Sequence, residues 1–200
     1  MLSLLKSKRR VPHFPITVRP TEGDIAIART IARNTSPQTE DVAEFLTWGA
    51  DEHVLCALAA VWWIWTRSKS PDARLASDHV LLTTVAVTAL PHLLKTMFNQ
   101  ERPDRLTFRG HVRGVPVSGK RLDAFPSGHA IHVGALASAA TQLPPAKRNL
   151  VWSAGAAIVA TRIVLLAHWM TDVLAGLAVG ATVERLLRLA TGFGRRRRVG

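Results

Sequence analysis

The chain has 200 residues, room for one domain, and its 26 Lys and Arg against 14 Asp and Glu give a net charge of +12. The basic residues flank apolar segments and are not interleaved with aromatics. That arrangement argues against nucleic acid and for an acidic membrane surface or an anionic substrate. The single cysteine, Cys56, excludes an internal disulfide and reads as a small buried hydrophobe in an apolar run.

In chain order, the apolar residues 2–5 are too few for a secretory signal, and Lys6, Lys8, Arg9 and Arg10 follow them instead of preceding them. Residues 24–33 carry Ile25, Ile27, Ala28, Ile31 and Ala32 at helical spacing, with basic residues on the other side. This predicts an amphipathic helix lying at an interface. Ser36-Pro37 ends it, and 39–48 forms a second short helix. Residues 1–50 thus read as an N-terminal amphipathic, interfacial segment. Five apolar stretches follow, at 53–65, 79–98, 130–143, 150–169 and 173–189. Their Ala and Leu content favours helix over strand. The second and fourth approach the roughly 20 residues a helix needs to cross a bilayer core. Gly176-x-x-x-Gly180 would let two helices approach closely. The expected fold is all-α, a polytopic membrane bundle of about five to six helices over 51–190, with a basic tail at 191–200. The tail's Arg195–Arg198 run suits acidic lipid. The linker 101–125 is polar and rich in turn formers: Pro103, Gly110, Gly114, Pro116 and Gly119. His53, His79, His92 and His111 read as ordinary interface or loop residues.

Three short stretches at the edges of the apolar runs carry chemistry. Lys95 and Arg102 are seven residues apart, about two helical turns, and would share a face if the helix continued. Pro126-Ser127-Gly128-His129 opens a helix whose free N–H groups and permissive glycine suit a phosphate; an ordinary Ser N-cap is the simpler alternative. His168 and Asp172 stack if they share one helix, so that the carboxylate fixes the imidazole tautomer and leaves the other nitrogen free to attack. Arg162 lies about 120° away on that helix and converges only through its long side chain or a break. His129, His132, His168 and Asp172 could in principle ligate zinc. There is no HExxH and no cysteine cluster, and three cations nearby oppose another positive centre, so no metal and no cofactor is expected. Alternating passes put all these residues at one end of the bundle. The other end receives Arg67, Lys69, Arg74, Lys147, Arg148, Arg185 and Arg188, which makes it the cytoplasmic side and the site extracytoplasmic, in a bacterial inner membrane. The linker is itself basic (Arg105, Arg109, Arg113, Lys120, Arg121), which an anionic substrate accounts for.

The pattern Lys95…Arg102-Pro103, Pro126-Ser127-Gly128-His129 and Thr161-Arg162…His168…Asp172 resembles the type 2 phosphatidic acid phosphatase (PAP2) superfamily in order and spacing. Thr161 stands where the family pattern has Ser. The resemblance implies a PAP2/haloperoxidase-like helical core and a phosphohistidine mechanism. His168 would be the nucleophile, Asp172 its orienting partner and His129 the acid and base. Lys95, Arg102, Ser127, Gly128 and Arg162 would hold the phosphoryl oxygens. The implied substrate is a lipid-linked phosphate monoester or diphosphate: a polyprenyl diphosphate, phosphatidic acid, phosphatidylglycerol phosphate or a phosphorylated sugar lipid. Membrane lipids are then the other partners and nucleic acid is not one. A vanadate-dependent haloperoxidase and a non-catalytic anionic-lipid carrier are the alternatives. The soluble character of the former and the intact histidine set weigh against them.

Overall fold

A computed structural model describes residues 15–103 and 122–194. Two short helices lead in: α1 (Glu22–Asn34) and α2 (Pro37–Thr47). Five longer ones form the bundle: α3 (Glu52–Thr66), α4 (Pro71–Met97), α5 (Gly128–Ala139), α6 (Pro145–Val164) and α7 (Met170–Thr191). They correspond to the five apolar stretches. Two departures matter. Helix α4 starts at Pro71, capped by Ser70, earlier than apolarity alone marks. Helix α6 stops at Val164, short of the apolar run's end at Trp169. A two-residue strand pair also joins β1 (Ile16–Thr17) to β2 (Phe98–Asn99) in parallel. The predicted halt at Ser36-Pro37 is a cap: the Ser36 hydroxyl accepts the Thr39 N–H and Pro37 occupies the first turn of α2. The tail from 195, the linker at 104–121 with His111, and residues 1–14 lie outside the described residues.

The closest packing is between α5 and α7, and glycine makes it possible. A Cβ on Gly180 would run into the Ile131 carbonyl oxygen, and one on Gly176 would come within 2.7 Å of the Ser127 oxygen. The small-residue spacing therefore lets two backbones touch where side chains would hold them apart. Around this pair lie Val87, Ile131 and Ala135 on one side and Ala130, Val133, Val159 and Val173 on the other, all buried.

The outer surface is apolar. Leu58, Val61, Ile64, Trp65, Val85, Leu93, Leu150, Leu174 and Leu186 are all exposed. Monomers in water rarely show so large a patch. Among the described residues, α4 is the one helix long and apolar enough to cross a bilayer unaided, with a mean hydropathy of 1.4 over its best window. The exposed apolar belt and this span are those of a membrane protein.

At the end away from the chemistry-bearing motifs, a buried polar cluster ties α4, α5 and α7 together. Glu184 accepts from His79 Nε2 at 3.0 Å, from the Ser138 hydroxyl, and from Arg188 Nη2 at 2.8 Å. His79 is fully buried, also meets Thr191 at 2.9 Å and stacks on Phe193. It is a core residue and not the interface or loop histidine that the sequence pattern implies. A buried carboxylate persists because every oxygen lone pair finds a donor.

Helix α1 is docked by Asp24, 2% exposed, whose carboxylate accepts the Thr21 N–H at 2.9 Å, the Thr171 N–H at 3.0 Å and the Thr171 hydroxyl at 2.8 Å. It thus caps its own helix and the start of α7 together. The interfacial segment expected at 1–50 is therefore part of the packed unit from α1 onward.

Two outcomes follow. Gly180→Val forces α5 and α7 apart, so the detergent-solubilised protein should lose thermal stability at the upper end of the about 1–3 kcal/mol typical of overpacking; a variant melting like wild type would refute the close approach. Burial would raise the Asp24 pKa, but the hydrogen bonds from Thr21 and Thr171 outweigh it and hold the group below its ordinary 3.8. Its stabilising contribution is complete above 3.8 and is lost as pH falls through the lower native value. Asp24→Asn should melt earlier than wild type at pH 7 and lose less on acidification below 3.8; parallel acid limbs for the two would contradict this.

Candidate active site

The chemistry-bearing stretches converge. Lys95, Arg102, Gly128, His129, Arg162 and His168 line one cavity of about 250 Å³, with Asp51, Glu52, His53, Pro91, His92 and His132 completing its wall and rim. Ser127 and Asp172 stand directly behind that lining, both fully buried.

Lys95 closes α4, but Arg102 does not continue that helix. Phe98 takes up extended backbone and pairs with β1, so the shared helical face that seven-residue spacing predicts does not exist. The two cations are brought together instead by Asp123. Its carboxylate lies 3.5 Å from Lys95 Nζ and accepts from Arg102 Nε at 3.0 Å. Arg102 Nη1 also donates to the Ala167 carbonyl at 3.1 Å. Asp123 went unseen in the sequence, where it is one acid in a basic linker. The one available signal was its being the acidic residue closest before the Pro-Ser-Gly-His tetrapeptide.

Ser127 is the N-cap of α5: its hydroxyl accepts the Ala130 N–H at 3.4 Å, and its own N–H donates to the Asp172 carbonyl at 3.2 Å. The start of α5, with the positive end of its dipole, faces the cavity through Gly128. The Thr161 hydroxyl donates to the Ile158 carbonyl of its own helix at 2.6 Å. A Ser-to-Thr exchange there leaves the cavity lining unchanged.

The end of α6 delivers both Arg162 and His168. Leu166, 1% exposed, adopts φ of +50°, which side-chain-bearing residues visit rarely and at a cost of order 1 kcal/mol. This breaks the helix. The Arg162 carbonyl then accepts both the Ala167 N–H at 3.0 Å and the His168 N–H at 3.2 Å, and Arg102 grips the Ala167 carbonyl from the other side. The strained turn is thereby held by three hydrogen bonds. It supplies the break that Arg162 needs to converge with His168. Arg162 Nη1 donates to the Thr47 hydroxyl at 2.7 Å, and its Nε is buried without a partner.

His168 sits in this turn, before the N-cap Trp169, so His168 and Asp172 do not share a continuous helix. His168 Nδ1 lies 2.7 Å from the Ala124 carbonyl. A carbonyl only accepts, so Nδ1 carries the proton and Nε2 holds the free lone pair. Burial, and then Arg102, Arg162 and Lys95, push the imidazole well below its ordinary 6.5, so it is neutral at physiological pH. Asp172 Oδ2 is 3.7 Å from Nδ1, an electrostatic separation, because that oxygen is taken by the Trp169 N–H at 2.9 Å. Asp172 thus pins the turn that carries the ring. The buried Gln100 lies next to Asp172.

No group of three or more His, Cys, Asp or Glu among the described residues is arranged to hold a metal ion. Beside the rim residues, the cavity brings together the imidazoles of His129 and His168, the Lys95 ammonium, the Arg102 and Arg162 guanidinium groups and the start of α5, around a space the size of a tetrahedral oxyanion with part of its substituent.

The model of a family described as the PAP2 superfamily matches residues 78–195. A lipid A 1-phosphatase of Rhizobium johnstonii is 36% identical over 104 residues, 52% of this chain and 43% of that protein. A lipid A 1-phosphatase of Rhizobium etli is 37% identical over 102 residues, 50% and 44% of the respective chains. The matched stretch is thus less than half the length of either relative. Among solved structures, the transmembrane PAP2-type phosphatidylglycerolphosphate phosphatase of Bacillus subtilis superposes with a TM-score of 0.66 at 21% identity, covering 88% of each chain. LpxE of Aquifex aeolicus gives 0.65 at 17% identity, over 86% of this chain and 98% of its own. These two similarities carry the fold.

An oxyanion bound in the cavity stabilises the folded state by mass action. Orthovanadate should raise the melting temperature of the detergent-solubilised protein, and Arg162→Ala should reduce the rise and demand more vanadate to reach it. A vanadate-insensitive wild-type protein would exclude this cavity as an oxyanion site.

Proposed function

This chain belongs to the PAP2 superfamily, and on that premise we propose that it is a membrane phosphatase that hydrolyses a lipid-linked phosphate through a phosphohistidine intermediate. The observation that carries the reading is the neutral His168, its Nδ1 tied to Ala124 and its Nε2 free, in a cavity walled by Lys95, Arg102 and Arg162.

His168 Nε2 attacks phosphorus and forms the P–N bond while the P–O bond to the lipid breaks. His129, protonated once the negative charge of the phosphate offsets Arg162 beside it, gives that proton to the departing oxygen, so the alcohol leaves neutral. Water then attacks phosphorus, His129 takes back a proton, and the P–N bond breaks to return neutral His168 and inorganic phosphate. Phosphoryl transfer needs positioning and charge stabilisation more than covalent assistance. The three cations and the Gly128 N–H spread over the equatorial oxygens supply both. Asp172, 3.7 Å from Nδ1, offsets the positive charge that the ring acquires in the intermediate.

The substrate class follows from the setting. The cavity lies at the end of an apolar bundle, so a headgroup can enter while its acyl or prenyl chains stay in the bilayer. The Rhizobium relatives favour a phosphorylated sugar lipid over the other candidates: polyprenyl diphosphate, phosphatidic acid and phosphatidylglycerol phosphate. The basic residues Arg67, Arg74, Lys147, Arg148 and Arg185 gather at the opposite end, which supports a site on the extracytoplasmic face of the inner membrane.

Purified protein in detergent should release phosphate from a panel of these lipids. His168→Ala should reduce turnover to background with the melting temperature within a few degrees of wild type. The side chains supply the charge, so activity should survive a chelator and be blocked by orthovanadate. Turnover in a folded His168→Ala protein would refute the nucleophile, and complete loss on chelation would refute the charge assignment.

A further inference from the structure

We infer that Thr47, at the end of α2, is a positioning residue that aims Arg162 at the phosphate. The inference rests on the phosphatase reading above. Thr47 lies outside the stretch matched by the family model, which begins at residue 78.

Helix α2 presents Glu40, Ala43 and Thr47 on its inward side, at the three- and four-residue spacing of one helical face. Glu40 and Ala43 are buried and Thr47 half-buried, whereas Phe45, Leu46 and Trp48 are exposed. Ala43 packs against Leu165 and Ala167 of the strained turn, which seats the helix end over the site. The Thr47 hydroxyl then accepts from Arg162 Nη1 at 2.7 Å. Arg162 is 6% exposed, and its Nε is buried without any partner. A guanidinium is flat, so fixing one terminal nitrogen on Thr47 fixes the plane and directs the unpaired Nε. A buried donor left empty is costly unless a ligand fills it, and this one borders the cavity.

The test separates the hydroxyl from the fold. Thr47→Val and Thr47→Ala remove the acceptor, while Thr47→Ser keeps it. Loss of one hydrogen bond to a charged group should weaken orthovanadate binding about tenfold in both variants, with a matching rise in KM and a smaller fall in kcat. Thr47→Ser should restore binding, and melting temperatures without vanadate should stay within a few degrees of wild type. Adding Thr47→Val to Arg162→Ala should weaken vanadate no further, because the hydroxyl acts through that guanidinium. Wild-type-like vanadate binding in both Thr47→Val and Thr47→Ala, or full additivity with Arg162→Ala, would overturn the assignment while leaving the phosphatase reading intact. A wild-type protein that neither binds vanadate nor releases phosphate would remove that reading and this one with it.

Discussion

Holding three cations against one another at the end of an apolar bundle is the constraint on which this structure turns. Lys95, Arg102 and Arg162 border one cavity, and a single carboxylate, Asp123, answers two of them. Their mutual repulsion and lost hydration disfavour such a group unless something negative completes it. The protein supplies partial answers: the Ala167 carbonyl for Arg102, the Thr47 hydroxyl for Arg162, Asp123 for Lys95. The remainder is left for a bound oxyanion. Burial, and then the same field, keep the His168 imidazole neutral, so its lone pair stays unprotonated.

The scaffold bears this load by making one end of the bundle unusually well tied. Gly176 and Gly180 let α7 press against α5, which brings the Asp172 carbonyl onto the Ser127 N–H. Asp24 fastens the start of α7 from outside, and Asp172 fastens the same turn from within. Leu166 can then persist at positive φ because its neighbours' hydrogen bonds over-determine the turn. The turn that carries His168 is thus fixed by contacts from α1, the Arg102 segment and α7 together.

Much of this was legible from the chain and some was not, for physical reasons. The five bundle helices follow from long Ala- and Leu-rich runs, and the convergence of the motifs follows from alternating passes. What misled was local spacing read as helix where tertiary contacts prevail. Lys95 and Arg102 have the separation of two helical turns, yet the backbone between them becomes a strand because Ile16 and Thr17 offer it a partner. His168 and Asp172 have the separation of one turn, yet a residue at positive φ ends α6 just before them. Asp123, Thr47 and Glu184 could not be found by pattern. Their partners Arg102, Arg162 and His79 lie 21 to 115 positions away, and a lone acid or threonine has no signature. His79 reads as an unremarkable histidine until Glu184 is beside it.

The buried Glu184–His79 cluster has a consequence for how the bundle can move. Helix α4 is fastened at His79 to that cluster and at Lys95 to Asp123, roughly 24 Å apart at 1.5 Å per residue. A helix held at both levels cannot slide along α5 and α7 without breaking a polar contact at one end, so Lys95 keeps a fixed height beside the cavity.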